Sequence, residues 1–472
     1  MERIGLFLTS MLLAFCGFSQ EYNGDWYGTL DFGSMKLPVV FHITTVDQKY
    51  VTTMDSPGQN VLGIPVSDTY FQGDYLVLDM KDMGAKFVGK VSQDELWTGV
   101  FEQGGQSFIL ELSHDPNNAK LVEHPQQPKA PFPYYTEDVT FENKSAGVTL
   151  AGTLSLPSKK GKFPVVVLIS GSGPQDRNES LLGHEPFAVI ADYLTRNGVG
   201  VLRYDDRGVG KSTGNFWTAT TTDFSTDAEA ALNYLKKRKE VDKSKIGLAG
   251  HSEGGIIAPM VAARNKDVAF IIMLAGPGLP GSEILLLQQA LIARADGVSE
   301  AEIEQNTTLN KGLFEIIQKE QDDTTTTNEL KAYLEERLDK LPDSLKNGIT
   351  KEMIPQILEG INTPWMKEFI RYDPRPALRK VSCPVLALNG SKDLQVPAVE
   401  NLQAIQKALY DGWIERGKKN TNFELCIVDG LNHLFQECET GSPREYQEIT
   451  QTFSPQALDK MLDWMRDQGF VK

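Results

Sequence analysis

A serine enclosed by glycines, where a strand pattern meets a helix pattern, constrains the fold of this 472-residue chain more than any other feature. The segment reads Gly250-His251-Ser252-Glu253-Gly254-Gly255. In its usual context a Gly-x-Ser-x-Gly sequence forms a sharp strand-to-helix turn that strains the serine backbone and lifts the hydroxyl out of the sheet. Glycines on either side let the strand and the helix cross closely. The alternative is an ordinary glycine-serine turn, so the surrounding pattern matters.

Strand and helix patterns alternate on both sides of this segment. Residues 163–170 form a continuous apolar run, which is typical of a strand buried on both faces, and an antiparallel pair precedes it at 137–142 and 148–156. The later elements are predicted as a helix at 186–197, a strand at 199–204, a helix at 223–238, a strand at 245–250, a helix from about 253, strands at 268–275 and 384–389, a helix at 399–409 and a strand at 423–428. This order predicts an α/β fold with a doubly wound, mostly parallel sheet.

Residues from about 281 to 372 interrupt the alternation with helical patterns only. The five patterns cover 283–296, 300–319, 329–341, 351–360 and 365–371. Because the insertion falls between two strands of the sheet, we expect it to form a lid over the carboxyl ends of the strands. Trp365, Phe369 and Tyr372 are the predicted substrate-pocket residues of this lid, and the alternative is that they form the core of the lid itself.

Short strand patterns, punctuated by Gly, Asp, Asn and Pro, precede the α/β region. They cover 26–30, 37–44, 75–80, 86–91, 95–101 and 107–112. No helical stretch lies among them, so we predict a small all-β barrel or sandwich at 20–114. Five prolines between 115 and 133 indicate a linker, and the catalytic domain is predicted at 134–472. The role of the β domain stays open between a structural support, a homodimer contact and a carbohydrate or lipid site.

The first residues have the proportions of a signal peptide. A weakly positive start precedes an apolar stretch too short to span a bilayer, and Gly17 and Ser19 are small residues at the positions that precede a cleavage site. We therefore predict a signal peptide at 1–19 and export to the periplasm or beyond. A lipid anchor at Cys16 ranks lower, because Phe15 is a poor neighbour for a lipidated cysteine, and a buried N-terminal helix is the other alternative.

Charge and composition argue against several kinds of partner and cofactor. The formal net charge of −16 argues against binding to a phosphate backbone. The run 208–213 resembles a phosphate-binding loop, but Asp205 stands where such a loop needs a glycine. Removal of the signal peptide leaves an odd number of cysteines, whose spacing matches neither a zinc site nor a redox pair: Cys383, Cys426 and Cys438. We expect no metal, no organic cofactor, no nucleic acid and no membrane span.

A serine hydroxyl needs a base to become a good nucleophile, and histidine is the usual one. The chain contains six histidines: His42, His114, His124, His184, His251 and His433. The first three belong to the β domain or the linker, and the turn is expected to point the side chain of His251 away from the serine. His184 precedes the first helix of the sheet domain and is interpreted as structural. His433 lies five residues beyond the last predicted strand, at the carboxyl edge of the sheet, and is the predicted base.

An acid should orient the imidazole, and Asp393 is the predicted one because it lies just past the preceding strand. The order Ser252, Asp393, His433 is one of the known orders of a serine-acid-histidine triad. Asp429 and Glu437 are rivals, since each lies close to His433 in sequence.

The tetrahedral intermediate of acyl transfer needs backbone N–H donors. One is predicted to be the N–H of Glu253, directly after the nucleophile. The other is expected from the loop after the strand at 163–170, with Ser172 as the first choice and Gly173 as the second.

With these features in place, residues from about 134 to 472 resemble the α/β-hydrolase superfamily, and within it the serine-aminopeptidase-like branch that contains many bacterial carboxylesterases. The supporting segments are Ser170-Gly171-Ser172-Gly173-Pro174-Gln175-Asp176-Arg177, Tyr204-Asp205-Asp206-Arg207-Gly208-Val209-Gly210-Lys211-Ser212 and the serine turn itself. The combination is similar to exported esterases with an additional N-terminal β domain, in which Asp55-Ser56-Pro57-Gly58-Gln59 has a counterpart. Ser170-Gly171 stands where many relatives have His-Gly, which leaves the second oxyanion donor open.

The resemblance implies hydrolysis of small-molecule esters with short acyl groups, through an acyl-enzyme intermediate on Ser252. A serine exopeptidase with the same triad is the alternative, because acidic lid residues could capture a free amine: Glu300, Glu302, Glu304, Asp322 and Asp323. A catalytically inert ligand-binding protein is the third interpretation.

Overall fold

The computed structural model describes residues 22–32, 36–59, 61–92, 96–103, 106–119, 124–319, 321–340, 350–417 and 422–471. The predicted signal peptide and Cys16 lie outside the described residues. The chain divides into two units between Leu121 and Val122, within the segment predicted to be a linker.

The N-terminal unit is all-β, and both of its sheets are antiparallel. One sheet has the order β1-β2-β3-β4 and the other the order β5-β6-β7-β8-β9. The strands are β1 (Gly24–Asp31), β2 (Lys36–Val46), β3 (Lys49–Ser56), β4 (Val61–Pro65), β5 (Asp68–Gln72), β6 (Tyr75–Met80), β7 (Ala85–Val91), β8 (Trp97–Gln103) and β9 (Gln106–Leu112). The sheets share a core that includes Trp26, Phe41, Phe87 and Trp97. The predicted all-β class is confirmed, and a homodimer through this unit stays a prediction.

Three strands of this unit, β3, β4 and β5, are missing from the sequence-based prediction. Their side chains are mostly exposed or half-buried, so no clear apolar face marks them in the sequence. Pairing with neighbouring strands holds them in place, as in the contact between residues 40–46 of β2 and residues 49–55 of β3. Tertiary pairing, rather than the local pattern, therefore defines these strands.

The second unit is built on an eight-stranded sheet with the order β10-β11-β13-β12-β14-β15-β16-β17. Its strands are β10 (Tyr135–Asn143), β11 (Val148–Leu156), β12 (Phe163–Ile169), β13 (Gly200–Tyr204), β14 (Val241–His251), β15 (Phe270–Leu274), β16 (Val385–Gly390) and β17 (Phe423–Val428). β11 runs antiparallel to both of its neighbours, and the other neighbouring pairs are parallel. The carboxyl ends of the parallel strands therefore meet at one edge, as the predicted fold class requires.

Helices cover both faces of this sheet. They are α1 (Pro186–Arg196), α2 (Thr221–Leu235), α3 (Gly254–Arg264), α9 (Arg375–Lys380), α10 (Ala398–Glu415) and α11 (Pro455–Asp467). Residues of α2, α3, α9 and α10 join one apolar core, and those of α1 and α11 join the other. β12 and β15 are apolar throughout because they are buried between these two layers. α9 and α11 were not predicted from the sequence.

The insertion consists of the helices α4 (Gly281–Ala295), α5 (Glu300–Ile317), α6 (Asp323–Lys340), α7 (Ile354–Ile361) and α8 (Pro364–Arg371). It has an apolar core of its own, formed mainly by α5, α6 and α7. The first and last residues of the insertion meet where the N–H of Gly281 donates to the carbonyl of Tyr372 at 2.9 Å. A Cβ at position 281 would lie 1.7 Å from the carbonyl oxygen of Phe369, so only glycine fits at this closure.

α6 begins six residues earlier than the sequence predicts. Four consecutive threonines, 324–327, have low helix propensity and hide its first turn in the sequence. Asp322 supplies the missing stabilisation, because its carboxylate accepts the N–H of Thr325 at 2.9 Å and thereby caps the helix.

The later part of the predicted linker is bonded to the second unit. The amide of Gln126 donates to the carbonyl of Phe453 at 2.7 Å and accepts the N–H of Thr452 at 2.6 Å. Cys383, Cys426 and Cys438 are free thiols. Among the helices that the structure describes, none has both the length and the apolar character needed to cross a membrane.

Candidate active site

The serine turn lies between β14 and α3. Ser252 has a backbone φ of 52°, a left-handed conformation that a residue with a side chain adopts only at a cost in free energy. A Cβ on Gly250 would lie 1.9 Å from the carbonyl oxygen of Gly254, and one on Gly254 would lie 2.2 Å from that of Ile169. Both glycines are thus required for the close crossing, which leaves the Ser252 side chain at the carboxyl edge of the sheet.

The loops after β16 and β17 bring Asp393 and His433 together. His433 Nδ1 lies 2.9 Å from Asp393 Oδ2, and both residues are buried. The other carboxylate oxygen of Asp393 accepts the N–H groups of Gln395 and Val396, each at 2.8 Å. A carboxylate only accepts hydrogen bonds, so Nδ1 carries the proton and Nε2 is left with a free lone pair. His433 is therefore held in the tautomer that a general base needs.

The two rival acids lie elsewhere. Asp429 is exposed and accepts a hydrogen bond from the hydroxyl of Ser391 at 2.9 Å. Glu437 is also exposed, and its carboxylate contacts the amide of Gln451 at 3.4 Å. Neither carboxylate contacts the imidazole of His433, whose acidic neighbour is Asp393.

Ser252 and His433 line the same cavity, which has a volume of about 220 Å³. The lid forms one wall of this cavity through residues of α4 and α8, and the loops of the sheet domain form the rest. The lining residues are Gly171, Ser172, Gln175, Glu179, Leu181, His251, Ser252, Pro277, Ile284, Leu285, Gln288, Trp365, Phe369, Gln395, Val396, His433, Leu434 and Tyr446. The insertion thus covers the carboxyl ends of the strands, next to the serine.

Two of the three predicted pocket aromatics line the cavity, and the third does not. Trp365 and Phe369 lie one turn apart on α8 and stack with ring centroids 5.2 Å apart. Tyr372, the third, is not among the lining residues. It is the C-terminal capping residue of α8 and packs against the apolar cluster formed by Ile256, Ile284, Phe369 and Val396.

The loop after β12 offers a backbone donor to the same cavity. The N–H of Gly171 is not available, because it donates to the carboxylate of Glu179 at 2.6 Å. Within the described part of the chain, neither the N–H of Ser172 nor that of Glu253 has an intramolecular acceptor. Ser172 lines the cavity, whereas Gly173, which has a φ of 97°, does not. The geometry favours Ser172 over Gly173 as the donor from this loop.

Several known proteins are similar in sequence to this chain. The family profile described as serine aminopeptidase, S33, matches residues 184–331. Esterase EstD of Thermotoga maritima is 26% identical over 373 residues, which cover 78% of each chain. An uncharacterized 31.7 kDa protein of Escherichia coli, from the traX-finO intergenic region, is 25% identical over 305 residues, which cover 64% of this chain and 90% of that protein.

Solved structures of α/β hydrolases also align with this chain. The α/β hydrolase GrgF from Penicillium sp. sh18 aligns with a TM-score of 0.44 and 18% identity, over 71% of this chain and 98% of its own. The Pyrococcus furiosus esterase Pf2001 aligns with a TM-score of 0.43 and 16% identity, over 74% of this chain and 98% of its own.

The strand order, the strained serine turn after β14 and the similarity to esterase EstD together decide the fold class. The chain is a hydrolase with the α/β-hydrolase fold. The predicted fold class and the predicted resemblance to this superfamily are thereby confirmed.

Two acids of the hydrolase that directly follow β13, before the run that resembles a phosphate-binding loop, support the Ser172 loop. Asp206 accepts the hydroxyl of Ser170 at 2.8 Å and the N–H of Gln175 at 3.0 Å. Burial raises the pKa of Asp206 well above its usual range, although these two hydrogen bonds oppose the shift. Arg177 forms a bidentate salt bridge with Asp205: Nε donates to Oδ1 at 2.9 Å and Nη2 donates to Oδ2 at 2.8 Å. These roles of Asp205 and Asp206 were not predicted from the sequence, although two adjacent acids directly after a strand are a pattern that could have indicated them.

The side chain of Glu253 links the serine turn of the hydrolase to the lid. It is buried and accepts hydrogen bonds from the hydroxyl of Thr221 at 2.6 Å and from the indole N–H of Trp365 at 2.9 Å. Burial raises the pKa of Glu253, and the hydrogen bonds from its neighbours oppose the shift. Because Glu253 directly follows Ser252, this contact holds α8 of the lid at the nucleophile.

The loop that carries His433 is held by a buried polar cluster. The side-chain oxygen of Asn432 accepts the N–H groups of Leu434 at 3.0 Å and Gln436 at 2.9 Å. The amide of Gln436 in turn contacts the ring of His184, whose Nε2 donates to the carbonyl of Tyr446 at 2.8 Å. Burial lowers the pKa of His184 to about 4. His184 is thus a buried neutral histidine, in line with its predicted structural role.

We expect the stability of the hydrolase to decrease as the pH falls below 6.5. The unfolded chain protonates His184 near pH 6.5 and the folded chain only near pH 4, so the unfolded state binds more protons between these values. From pH 7 to pH 5 this group should remove about 2 kcal/mol of unfolding free energy. Urea unfolding of the wild type and of His184→Gln at both pH values measures the effect. An equal loss in both proteins would contradict it, because glutamine does not titrate.

Proposed function

We propose that this hydrolase is a serine carboxylesterase that cleaves esters with short acyl groups through an acyl-enzyme intermediate. One observation carries the proposal. The strained Ser252 and the base His433 line a single cavity, and Asp393 holds the base in its proton-accepting tautomer. The similarity to an esterase over most of the chain supports the same activity.

In the proposed first step, Ser252 Oγ attacks the ester carbonyl carbon while His433 Nε2 takes the hydroxyl proton. Asp393 stabilises the imidazolium that forms. The N–H groups of Glu253 and Ser172 donate to the oxyanion of the tetrahedral intermediate. As the intermediate collapses, His433 gives its proton to the leaving alcohol, and the acyl group stays on the serine.

In the second step, a water molecule attacks the acyl carbon, and His433 takes a proton from this water. The same two N–H groups hold the second oxyanion. His433 then returns a proton to Ser252 Oγ as the carboxylic acid leaves. Every proton moves between the substrate, water, Ser252 and His433, so the chain's own residues complete the cycle.

The cavity supports a small, apolar acyl group. About 220 Å³ is available, and Leu181, Ile284 and Phe369 supply apolar walls. Two other lining residues of the cavity are polar, and the side-chain amide of Gln395 donates to the hydroxyl of Tyr446 at 2.8 Å. These polar groups are neutral and suit the ester oxygen or an uncharged alcohol.

The acidic lid residues, which suggested an exopeptidase, do not line the described cavity. Of these residues, Glu302 is half-buried and the others are exposed. Glu300 pairs with Arg294, Asp323 pairs with Lys367, and Glu302 belongs to the N-terminal cap of α5. The lid turns most of these carboxylates to solvent, so the cavity gives no support to the alternative in which they receive a free amine. The proposal therefore favours esters over peptides.

We expect the purified protein to hydrolyse p-nitrophenyl acetate and to leave aminoacyl p-nitroanilides uncleaved. The physical reason is that no unengaged carboxylate lines the described cavity to bind an α-amino group. Initial rates on both substrates, together with labelling by a fluorophosphonate, measure this. Faster cleavage of the anilide would favour the exopeptidase, and a protein that is not labelled and cleaves neither substrate would be an inert binding protein.

A further inference from the structure

Two buried residues beside the proposed triad have no role in the mechanism above. His251 and Glu179 are 6% and 5% exposed, and the imidazole Nδ1 lies 2.9 Å from Glu179 Oε1. They come from different parts of the chain, because His251 ends β14 and Glu179 lies in the turn before α1. Both side chains line the cavity that contains Ser252.

Each of these residues also bonds the backbone of one loop of the site. His251 Nε2 lies 3.0 Å from the carbonyl oxygen of His433. A carbonyl oxygen only accepts, so this nitrogen donates. Glu179 Oε1 accepts the N–H of Gly171 at 2.6 Å, next to the proposed oxyanion donor. The pair therefore bridges the loop of the base and the loop of the oxyanion donor.

The electrostatic surroundings of His251 favour its protonated form, which can make both of these hydrogen bonds. Burial lowers the pKa of His251, but the negative charge of Glu179 and its hydrogen bond outweigh burial and raise the pKa above its ordinary value. The carbonyl of His433 and the charge of Asp393 act in the same direction. A protonated His251 donates from both nitrogens, to Glu179 on one side and to His433 on the other.

The backbone of Glu179 is strained, which indicates that its position is set by its surroundings. Its φ is 54°, in the left-handed region, and its N–H donates to the carbonyl of Asp176 at 2.9 Å. A buried ion pair is weak support for stability, because apolar residues of similar volume often serve as well. The bonds from this pair to two loops of the site indicate a role in geometry.

We propose that His251 and Glu179 are positioning residues that fix the oxyanion loop and the general base relative to each other. The inference rests on the proposed serine mechanism. It assigns a purpose to the histidine of the serine turn, whose imidazole bonds Glu179 and the loop of His433.

Two replacements of His251 separate its two hydrogen bonds. The amide nitrogen of asparagine takes the place of Nδ1, so His251→Asn keeps the contact with Glu179 and loses the donor to the His433 carbonyl. The amide nitrogen of glutamine takes the place of Nε2, so His251→Gln keeps that donor. We expect kcat for p-nitrophenyl acetate to fall about 10- to 100-fold in the asparagine variant, because a small displacement of the base is enough for this loss. KM should stay nearly unchanged, and the glutamine variant should recover most of kcat.

Replacement of the carboxylate has a matched control. Glu179→Gln keeps the oxygen that accepts the N–H of Gly171 but removes the negative charge that raises the pKa of His251 and strengthens its hydrogen bond, so we expect about a tenfold loss of kcat. Asp227→Asn removes a similar charge from another buried ion pair, where Asp227 lies 2.7 Å from Arg207 and away from the cavity. We expect this control to keep its kcat while its thermal unfolding temperature falls.

Each outcome decides one question. Unchanged kcat in both His251→Asn and Glu179→Gln would overturn the positioning role, and so would an equal loss of kcat in the asparagine and glutamine variants. A loss of kcat in Asp227→Asn as large as in Glu179→Gln would assign the effect to general destabilisation and overturn the role as well. If the wild type neither cleaves the ester nor reacts with a fluorophosphonate at Ser252, the proposed function fails before these variants are compared.

Discussion

Ser252→Ala should lower kcat for p-nitrophenyl acetate by about 10⁶ while the protein remains folded. Without the hydroxyl no acyl-enzyme forms, and the base and the backbone donors can only assist direct attack by water. The serine turn itself should persist, because the N–H of residue 252 still donates to the carbonyl of Leu274 at 2.9 Å. Alanine also tolerates the left-handed backbone about as well as serine does.

Burst and steady-state rates of nitrophenol release measure this loss, with far-ultraviolet circular dichroism to check the fold. Ser225→Ala is a suitable control, since it removes another buried serine hydroxyl, which bonds a carbonyl within α2. We expect the control to keep normal turnover. An undiminished burst in Ser252→Ala would show that another residue is the nucleophile.

Asp393→Asn should lower kcat by about 10⁴. The oxygen of the asparagine can still accept the N–H groups of Gln395 and Val396, so the loop should keep its shape. The amide nitrogen then faces Nδ1 of His433 and donates to it. The imidazole proton moves to Nε2, where the lone pair for the serine proton was, and His433 no longer acts as a base.

The rival acid provides the matched control for this variant. Asp429→Asn changes an exposed carboxylate whose partner is the hydroxyl of Ser391, so we expect turnover to stay within a few-fold of the wild type. Steady-state kinetics of both variants on p-nitrophenyl acetate makes the comparison. A larger loss in the Asp429 variant would move the acid of the proposed triad from the loop after β16 to the end of β17.

Much of the sheet domain could be predicted because its signals are local. A buried parallel strand is a continuous apolar run, and a glycine-rich junction between strand and helix marks the serine turn. Chain order and strand ends then indicated Asp393 and His433, whose side chains lie 2.9 Å apart in the structure. The fold class was confirmed for the same reason, since each element carries its own pattern.

Predictions failed where the local pattern was weak or where chain geometry intervened. β3, β4 and β5 have few buried residues and owe their conformation to pairing with neighbouring strands. Tyr372 has suitable chemistry for a pocket, but it lies beyond the end of α8 and is not among the residues that line the cavity. The acidic residues of the lid could not be assigned from the sequence, because exposure depends on how helices pack.

Local sequence patterns were enough to predict most strands and helices of the sheet domain, the turn that contains Ser252, and the loops that carry the acid and the base. These features follow from periodicity and from glycine positions, which act over a few residues. The pairing of buried polar groups across the site, by contrast, depends on the tertiary structure. Glu179 and His251 are 72 positions apart, and His251 and His433 are 182 positions apart. Such contacts form because burial obliges each polar group to find a partner, and the chain topology determines which partners are within reach.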